Sequence, residues 1–304
     1  MEKNIFHKHN HLLIQAFYLF FLVFIGFIIF SFLGGTITQL VYKEAGLTQL
    51  MEHPDAVRLF QTICSFGFFL FPALSFSFLL KGNLFSYSSI GKNVPLRMVA
   101  TVILLALLII PIISWLTHLN QMLKLPDSLH QIEEWMQRNE AKADALIRLL
   151  TEELTFSNLS INIIALAFIP ALCEEFMFRG TIQPFLNKVV KNIHVAIVLS
   201  ALLFSAIHFQ FYGFFPRFLL GIYLGYLLYW SGSLWLPIAA HFLHNAFTLL
   251  MDFYTRKNGI DIDNISPSEI PHFYGLLIIS IVFTGIGIWF LRKIKLPSNH
   301  EISN

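Results

Sequence analysis

The chain has 304 residues, 56% of them hydrophobic and 12% charged, with a mean hydropathy of +0.67. A composition this apolar excludes an ordinary soluble domain and points to a polytopic membrane protein. A formal net charge of +2 gives no sign of a nucleic-acid partner, and two cysteines in apolar sequence, Cys64 and Cys173, make no disulfide framework.

Eight apolar stretches can span or nearly span a bilayer: 12–34, 59–80, 98–118, 159–187, 194–211, 214–230, 234–252 and 272–291. The expected fold is an all-α polytopic membrane helix bundle of about eight transmembrane helices, forming one membrane domain over 1–304. The first stretch is too long for a cleavable signal core and reads as an uncleaved anchor. Ahead of it, His7, His9 and His11 look like a metal tract but fit an exposed tail better. Lys3, Lys8, Lys81, Lys92, Arg97, Lys188, Lys191, Arg292, Lys293 and Lys295 fall on one side if both termini are cytoplasmic. The expected location is the plasma (inner) membrane of a bacterium.

Between the third and fourth stretches lies a polar insertion, 119–156. Ser128 followed by Gln131 reads as a capping box. Leu129, Ile132, Met136, Ala143, Leu146, Ile147 and Leu150 then recur at helical spacing, predicting one or two amphipathic helices at the interface. A plain connector is the favoured reading and a lid over a site the other. Pro170, four residues before Glu174, frees the carbonyl of Leu166 and should kink the fourth helix ahead of the acids. Gly221 and Gly225 make a small-residue face suited to close helix contact.

Glu174 and Glu175 stand side by side in that fourth stretch, with Arg179 four residues after the second. A carboxylate at the bilayer centre costs about 2.5–3.5 kcal/mol on insertion scales, so intramembrane acids need a partner or a task. Residues i and i+4 share a helix face, so Glu175 can pair with Arg179. Glu174 lies roughly 100° round the axis and is left free to act. His208 ends the fifth stretch, and His241 and Asn245 share a face of the seventh, with His244 bordering it. Any one of these histidines alone is as readily an interhelical hydrogen-bonding group. Several polar residues on three neighbouring helices favour a shared site. If the fourth helix reaches Leu186, Glu174, His208 and Asn245 lie roughly 18, 21 and 16 Å from one membrane face. If it stops near Arg179, with Gly180 and Pro184 as the break, that agreement fails.

Such a set supports amide hydrolysis by activated water. Glu174, desolvated beside a second acid, suits a general base, and His208 could help hold the water. His241 and Asn245 could donate to the developing oxyanion. A zinc version stays open, with Glu174, His208 and His241 as candidate ligands, although there is no His-Glu-x-x-His motif and Asn245 is an unusual ligand. A nucleophilic Cys173 is disfavoured, since apolar surroundings make a thiol inert.

Glu174-Glu175-x-x-x-Arg179, Phe204-x-x-x-His208 and His241-x-x-x-Asn245 resemble, in order and spacing, the three motifs of the CPBP family of intramembrane proteases. That family (CAAX proteases and bacteriocin-processing enzymes, also called Abi) includes the type II CAAX prenyl endopeptidases. The resemblance covers about 159–250, the catalytic core. It implies that Glu174 and His208 activate water, that His241 and Asn245 stabilise the oxyanion, and that Glu175 and Arg179 support the site. Family members are labelled metalloproteases, and a metal-free glutamate mechanism has also been proposed for them. The implied partner is a membrane-presented peptide or protein, with a prenylated tail among the options. The competing readings are a catalytically silent binding or immunity protein, and a transporter. Transport is disfavoured because the sequence shows no internal repeat.

Overall fold

The structure is a computed structural model that describes residues 12–43, 52–81, 94–123, 125–260 and 269–294. The His7, His9 and His11 tract, and Lys3, Lys8, Lys92 and Lys295, lie outside them. All regular structure among the described residues is helical. Helix α1 is Leu12–Tyr42 and α2 is Pro54–Leu80. Next come α3 (Leu96–Leu108), α4 (Ile110–Gln121) and α5 (His130–Leu150). Helix α6 is Phe156–Val190. The last four are α7 (Ile193–Ala206), α8 (Phe214–Ser231), α9 (Trp235–Lys257) and α10 (Phe273–Lys293). Each of the eight expected apolar stretches is helical over most of its length.

Helices α1, α2, α6 and α10 are long and apolar enough to cross a membrane, and α3 with α4 would make a fifth span bent by 42°. That bend falls where Pro111 removes an N–H from the helix ladder. The outward faces of α1 and α10 carry exposed Phe17, Phe20, Phe32, Ile278 and Trp289, a surface suited to lipid rather than water. Together these features mark an integral membrane protein.

Helix α6 is the axis of the bundle. It touches α2 on one side, and α7, α8 and α9 on others, while α1 packs outside α2 and α10 outside α3 and α4. Its 35 residues run on to Val190, so the break near Arg179 does not occur. Two widened π turns interrupt it, at Ile163–Phe168 and Phe178–Ile182. Each leads into a proline, Pro170 or Pro184, whose missing N–H the ladder must absorb. In place of a break, side chains fill the loosened ladder. Thr181 Oγ1 donates to the Phe176 carbonyl at 3.1 Å, and Ser200 Oγ of α7 donates to the Phe178 carbonyl at 3.3 Å.

Helices α7 and α8 lie close because α8 presents Gly221 and Gly225. A Cβ at Gly221 would sit 2.9 Å from the Ala201 Cβ, and one at Gly225 would sit 2.8 Å from Ile197 Cγ2. The bare backbone also opens two carbonyls to α6. Gly221 accepts from Arg179 Nη2 at 3.0 Å and Gly225 from Gln183 Nε2 at 3.2 Å. Gly225→Val should therefore destabilise the protein by about 1–3 kcal/mol through overpacking. Thermal unfolding in detergent checks this, and an unchanged midpoint would mean that α7 and α8 are not held this tightly.

Helix α5 forms the polar insertion as one 21-residue helix. The expected capping box is absent: Ser128 lies in a 3₁₀ turn, Asp127–Leu129, and Leu129 at the N-cap makes no side-chain cap. The preceding Pro126 favours that tight turn over a capped entry. Met136 and Leu150 are buried, but Leu129, Ile132, Trp135 and Ile147 are exposed. The C-terminal end of α5 is anchored firmly. The Leu150 carbonyl accepts from Arg58 of α2 and from Asn158 and Asn162 of α6. Arg256 at the end of α9 donates to Thr151 O and Oγ1.

Candidate active site

The paired acids sit mid-helix in α6, and their environments differ. Glu175 is sealed at 0% exposure, whereas Glu174 keeps 9%. Glu175 Oε1 accepts from Arg179 Nη1 at 2.8 Å and from His241 Nδ1 at 2.9 Å. The Arg179 guanidinium also lies 4.5 Å from the centre of the Phe204 ring, a cation–π contact in a dry setting. Glu175 and Arg179 thus tie α6 to α7, α8 and α9 at one level. Glu174 makes no hydrogen bond among the described residues; its nearest charged contact is His241 Nε2 at 3.9 Å.

His241 lies between the two acids. A carboxylate can only accept, so its Nδ1 carries the hydrogen shared with Glu175. Its Nε2 faces Glu174 at ion-pair distance, beyond hydrogen-bond length. One imidazole therefore links the sealed acid to the open one. Asn245 follows one turn later on α9, half-buried, with no hydrogen bond among the described residues. His244 is also half-buried on that helix.

His208 is placed differently from expectation. Helix α7 ends at Ala206, so His208 occupies a turn beyond the helix, not a position inside it. The chain leaves the helix through Phe209, which has φ of 52°, a left-handed backbone that a bulky residue rarely adopts. This turn folds the imidazole back so that Nδ1 donates to the Phe204 carbonyl at 2.9 Å, satisfying an orphan acceptor at the helix end. That carbonyl cannot donate, so the neutral ring carries its lone pair on Nε2. Phe204 contacts both histidines edge-on, with ring centres 5.5 Å from His208 and 5.7 Å from His241. The connection 207–213 is held at two further points. Asn120 of α4 donates to the Phe211 carbonyl, and Ser205 Oγ to the Phe214 carbonyl.

The structure thus brings Glu174, Glu175, Arg179 and His241 into one contact group and joins His208 to it through Phe204. Asn245 is one turn along α9 from His241, and its side chain makes no hydrogen bond among the described residues. Among the described residues no three His, Cys, Asp or Glu side chains form a group that could hold a metal ion. Nδ1 of His208 and of His241 is engaged with an acceptor, which leaves the Nε2 atoms as the free ring nitrogens, that of His241 lying 3.9 Å from Glu174. Cys173 is buried in α6.

One charged residue beside the group has no signal in the sequence. Arg217, near the start of α8, donates from Nη2 to Gln210 at 2.9 Å, and its charge acts on Glu174. An arginine near the end of an apolar stretch reads as an interfacial anchor, and only the folded 207–213 connection turns it inward. Glu140 of α5 is a second acid within electrostatic reach of it. Burial pushes that carboxyl up, Asp144 adds to the rise, and the Tyr212 backbone and Arg217 oppose it.

Residues 145–247 match the family model of the type II CAAX prenyl endopeptidase, Rce1-like. This stretch is similar to that family. It contains all three motifs and the whole contact group around Glu175. The chain is also 32% identical over 96 residues to the "Uncharacterized protein YpbD" of Bacillus subtilis (strain 168). That match covers 30% of this chain and 46% of the relative, so the chain spans less than half of that protein's length. No solved structure matches the chain. The family match supports a CAAX-type intramembrane protease, a hydrolase, at the level of the family.

Proposed function

We propose that the protein is an intramembrane endopeptidase in which Glu174 and His208 deliver water to a peptide bond of a membrane-presented substrate. The observation that carries this reading is the asymmetry of the paired acids. Glu175 accepts from both Arg179 and His241, while Glu174, one residue away, accepts no hydrogen bond among the described residues and keeps 9% exposure, with His241 Nε2 at 3.9 Å. Holding Arg179 needs only Glu175, and a second intramembrane acid that accepts no hydrogen bond is costly unless it has a task.

In the proposed reaction, Glu174 takes a proton from water as the oxygen attacks the scissile carbonyl. The Nε2 lone pair of His208 offers a second acceptor for the same water. The proton on Glu174 then passes to the leaving amine. His241, bridging the acids, turns Nε2 toward the oxyanion as one donor, and the Asn245 amide is the second. Glu175 and Arg179 fix the ring of His241. The exposed apolar side chains Ile132, Trp135 and Ile147 of α5 rest at the bilayer surface, where the helix borders substrate entry. Eight spans with both termini cytoplasmic, in a bacterial inner membrane, complete the proposal. Helices α7, α8 and α9, shorter or more polar than the others, would cross around the site.

The substrate is a peptide or protein held at the membrane, with prenylated tails among the candidates. The test is cleavage by the purified protein in nanodiscs, read by mass spectrometry on prenylated and unprenylated peptides, with a chelator arm in parallel. Discrete cuts are the expected result, and their survival in chelator would argue against an accessible catalytic metal. Intact peptides throughout would favour a silent membrane-binding protein, the second reading.

A further inference from the structure

The turn that carries His208 is held in an unfavourable shape. Phe209 sits at φ of 52°, where a side chain crowds its own backbone, and its ring is 66% exposed, so packing of the ring does not hold it there. Backbone in such a state persists only where its surroundings fix it. The fixing contacts lie on the far side of the turn. The Phe211 carbonyl accepts from the Phe214 N–H at 3.1 Å and from Asn120 Nδ2 at 2.6 Å. Ser205 Oγ donates to the Phe214 carbonyl at 2.7 Å. Asn120 reaches the turn from the last turn of α4, a helix packed on α8, and is only 2% exposed. Its Nδ2 must be the donor, since a carbonyl cannot donate back, and its Oδ1 is buried with no hydrogen-bond partner among the described residues. A half-satisfied buried amide costs stability that an apolar residue of the same shape would not. The contact with the turn is what the amide gives in return.

We propose that Asn120 is a positioning residue for His208: by holding the Phe211 carbonyl it keeps Phe209 left-handed, and so keeps the imidazole folded onto the Phe204 carbonyl with Nε2 free to meet water. The inference rests on the peptidase reading above and extends its machinery to α4, outside the residues 145–247 that match the family. Phe211 is three residues from His208, within about 11 Å of extended chain. No helix lies between them to absorb a slip at that carbonyl. The displacement therefore passes through Gln210 and Phe209 to the imidazole.

The test compares the native protein, Asn120→Leu, and Asn120→Leu combined with Phe209→Gly, each as the full chain in nanodiscs. Leucine keeps the shape of asparagine and removes the donor. On a peptide that the native protein cleaves, Asn120→Leu should lower kcat about 10–100-fold and leave KM within about twofold, as expected of a displaced reacting group rather than lost binding. Its unfolding midpoint should hold or rise, because the unpaired Oδ1 goes with the donor and the Phe211 carbonyl keeps the Phe214 N–H. Glycine adopts a positive φ without a steric cost, so the double variant should regain at least about fivefold in kcat over Asn120→Leu. Hydrogen exchange over 207–214, read by mass spectrometry without substrate, should quicken about tenfold or more in Asn120→Leu. A kcat within about twofold of native, or unchanged exchange over the segment, would overturn the proposal. So would a loss that glycine fails to recover, since Asn120 would then act otherwise than through the turn. Faster exchange in Asn120→Leu, with no cleavage of any peptide by the native protein, would instead retain the hold on the turn and reject the peptidase.

Discussion

Replacing Glu174 by Gln should lower peptide cleavage by about 10²–10⁴-fold, the contribution of a general base, while leaving the fold intact. The two outcomes are separable because Glu174 makes no hydrogen bond that holds the bundle together, its closest charged contact being His241 at 3.9 Å. An amide of the same shape removes the proton acceptor and takes away a desolvated charge. The unfolding midpoint should stay level or rise. Glu175→Gln should behave otherwise, losing stability and activity together, since Arg179 and His241 both depend on that carboxylate. Initial rates on one cleaved peptide, with thermal unfolding of each variant, distinguish the acids. A Glu174→Gln enzyme within about threefold of native activity would remove this residue from the chemistry.

The second large effect is on stability. Arg179→Met should cost about 3–5 kcal/mol, because it leaves a fully buried carboxylate without its cation. The side chain also donates to the Gly221 carbonyl and lies over Phe204, so the loss should spread to the contacts of α6 with α7 and α8. Adding Glu175→Gln removes the uncompensated charge and should restore more than half of the lost stability. Denaturant unfolding of the two single variants and the double variant checks the coupling. Additive losses would mean that the 2.8 Å contact contributes little.

The bundle was legible where the chemistry is repetitive. Hydropathy locates helices from Leu12 to Lys293 because lipid-facing and core-facing residues are both apolar there. The Glu175–Arg179 contact follows from i, i+4 spacing alone. The details that shape the site depend on backbone states that apolar composition does not encode. The end of α7 before His208 turns on a left-handed Phe209, where residue preference predicts none. The π turns of α6 precede Pro170 and Pro184, so the break read from Gly180 and Pro184 becomes a widened turn in one long helix. The Arg58 cluster joins residues 92 to 104 positions apart in sequence, and its asparagines look unremarkable until α2 and α6 are packed. Arg217 is hidden for a similar reason, since only the folded 207–213 connection supplies Gln210 as its partner.

Delivery of water by Glu174 is tested most directly by a single turnover in ¹⁸O-labelled water, with enzyme in excess over peptide. If water attacks the carbonyl, the new C-terminal carboxylate carries one labelled oxygen from the first turnover, and the acid-quenched protein keeps its native mass. A first-turnover product without label, or protein bearing the mass of the acyl fragment, would show that a side chain attacked instead and would contradict the account.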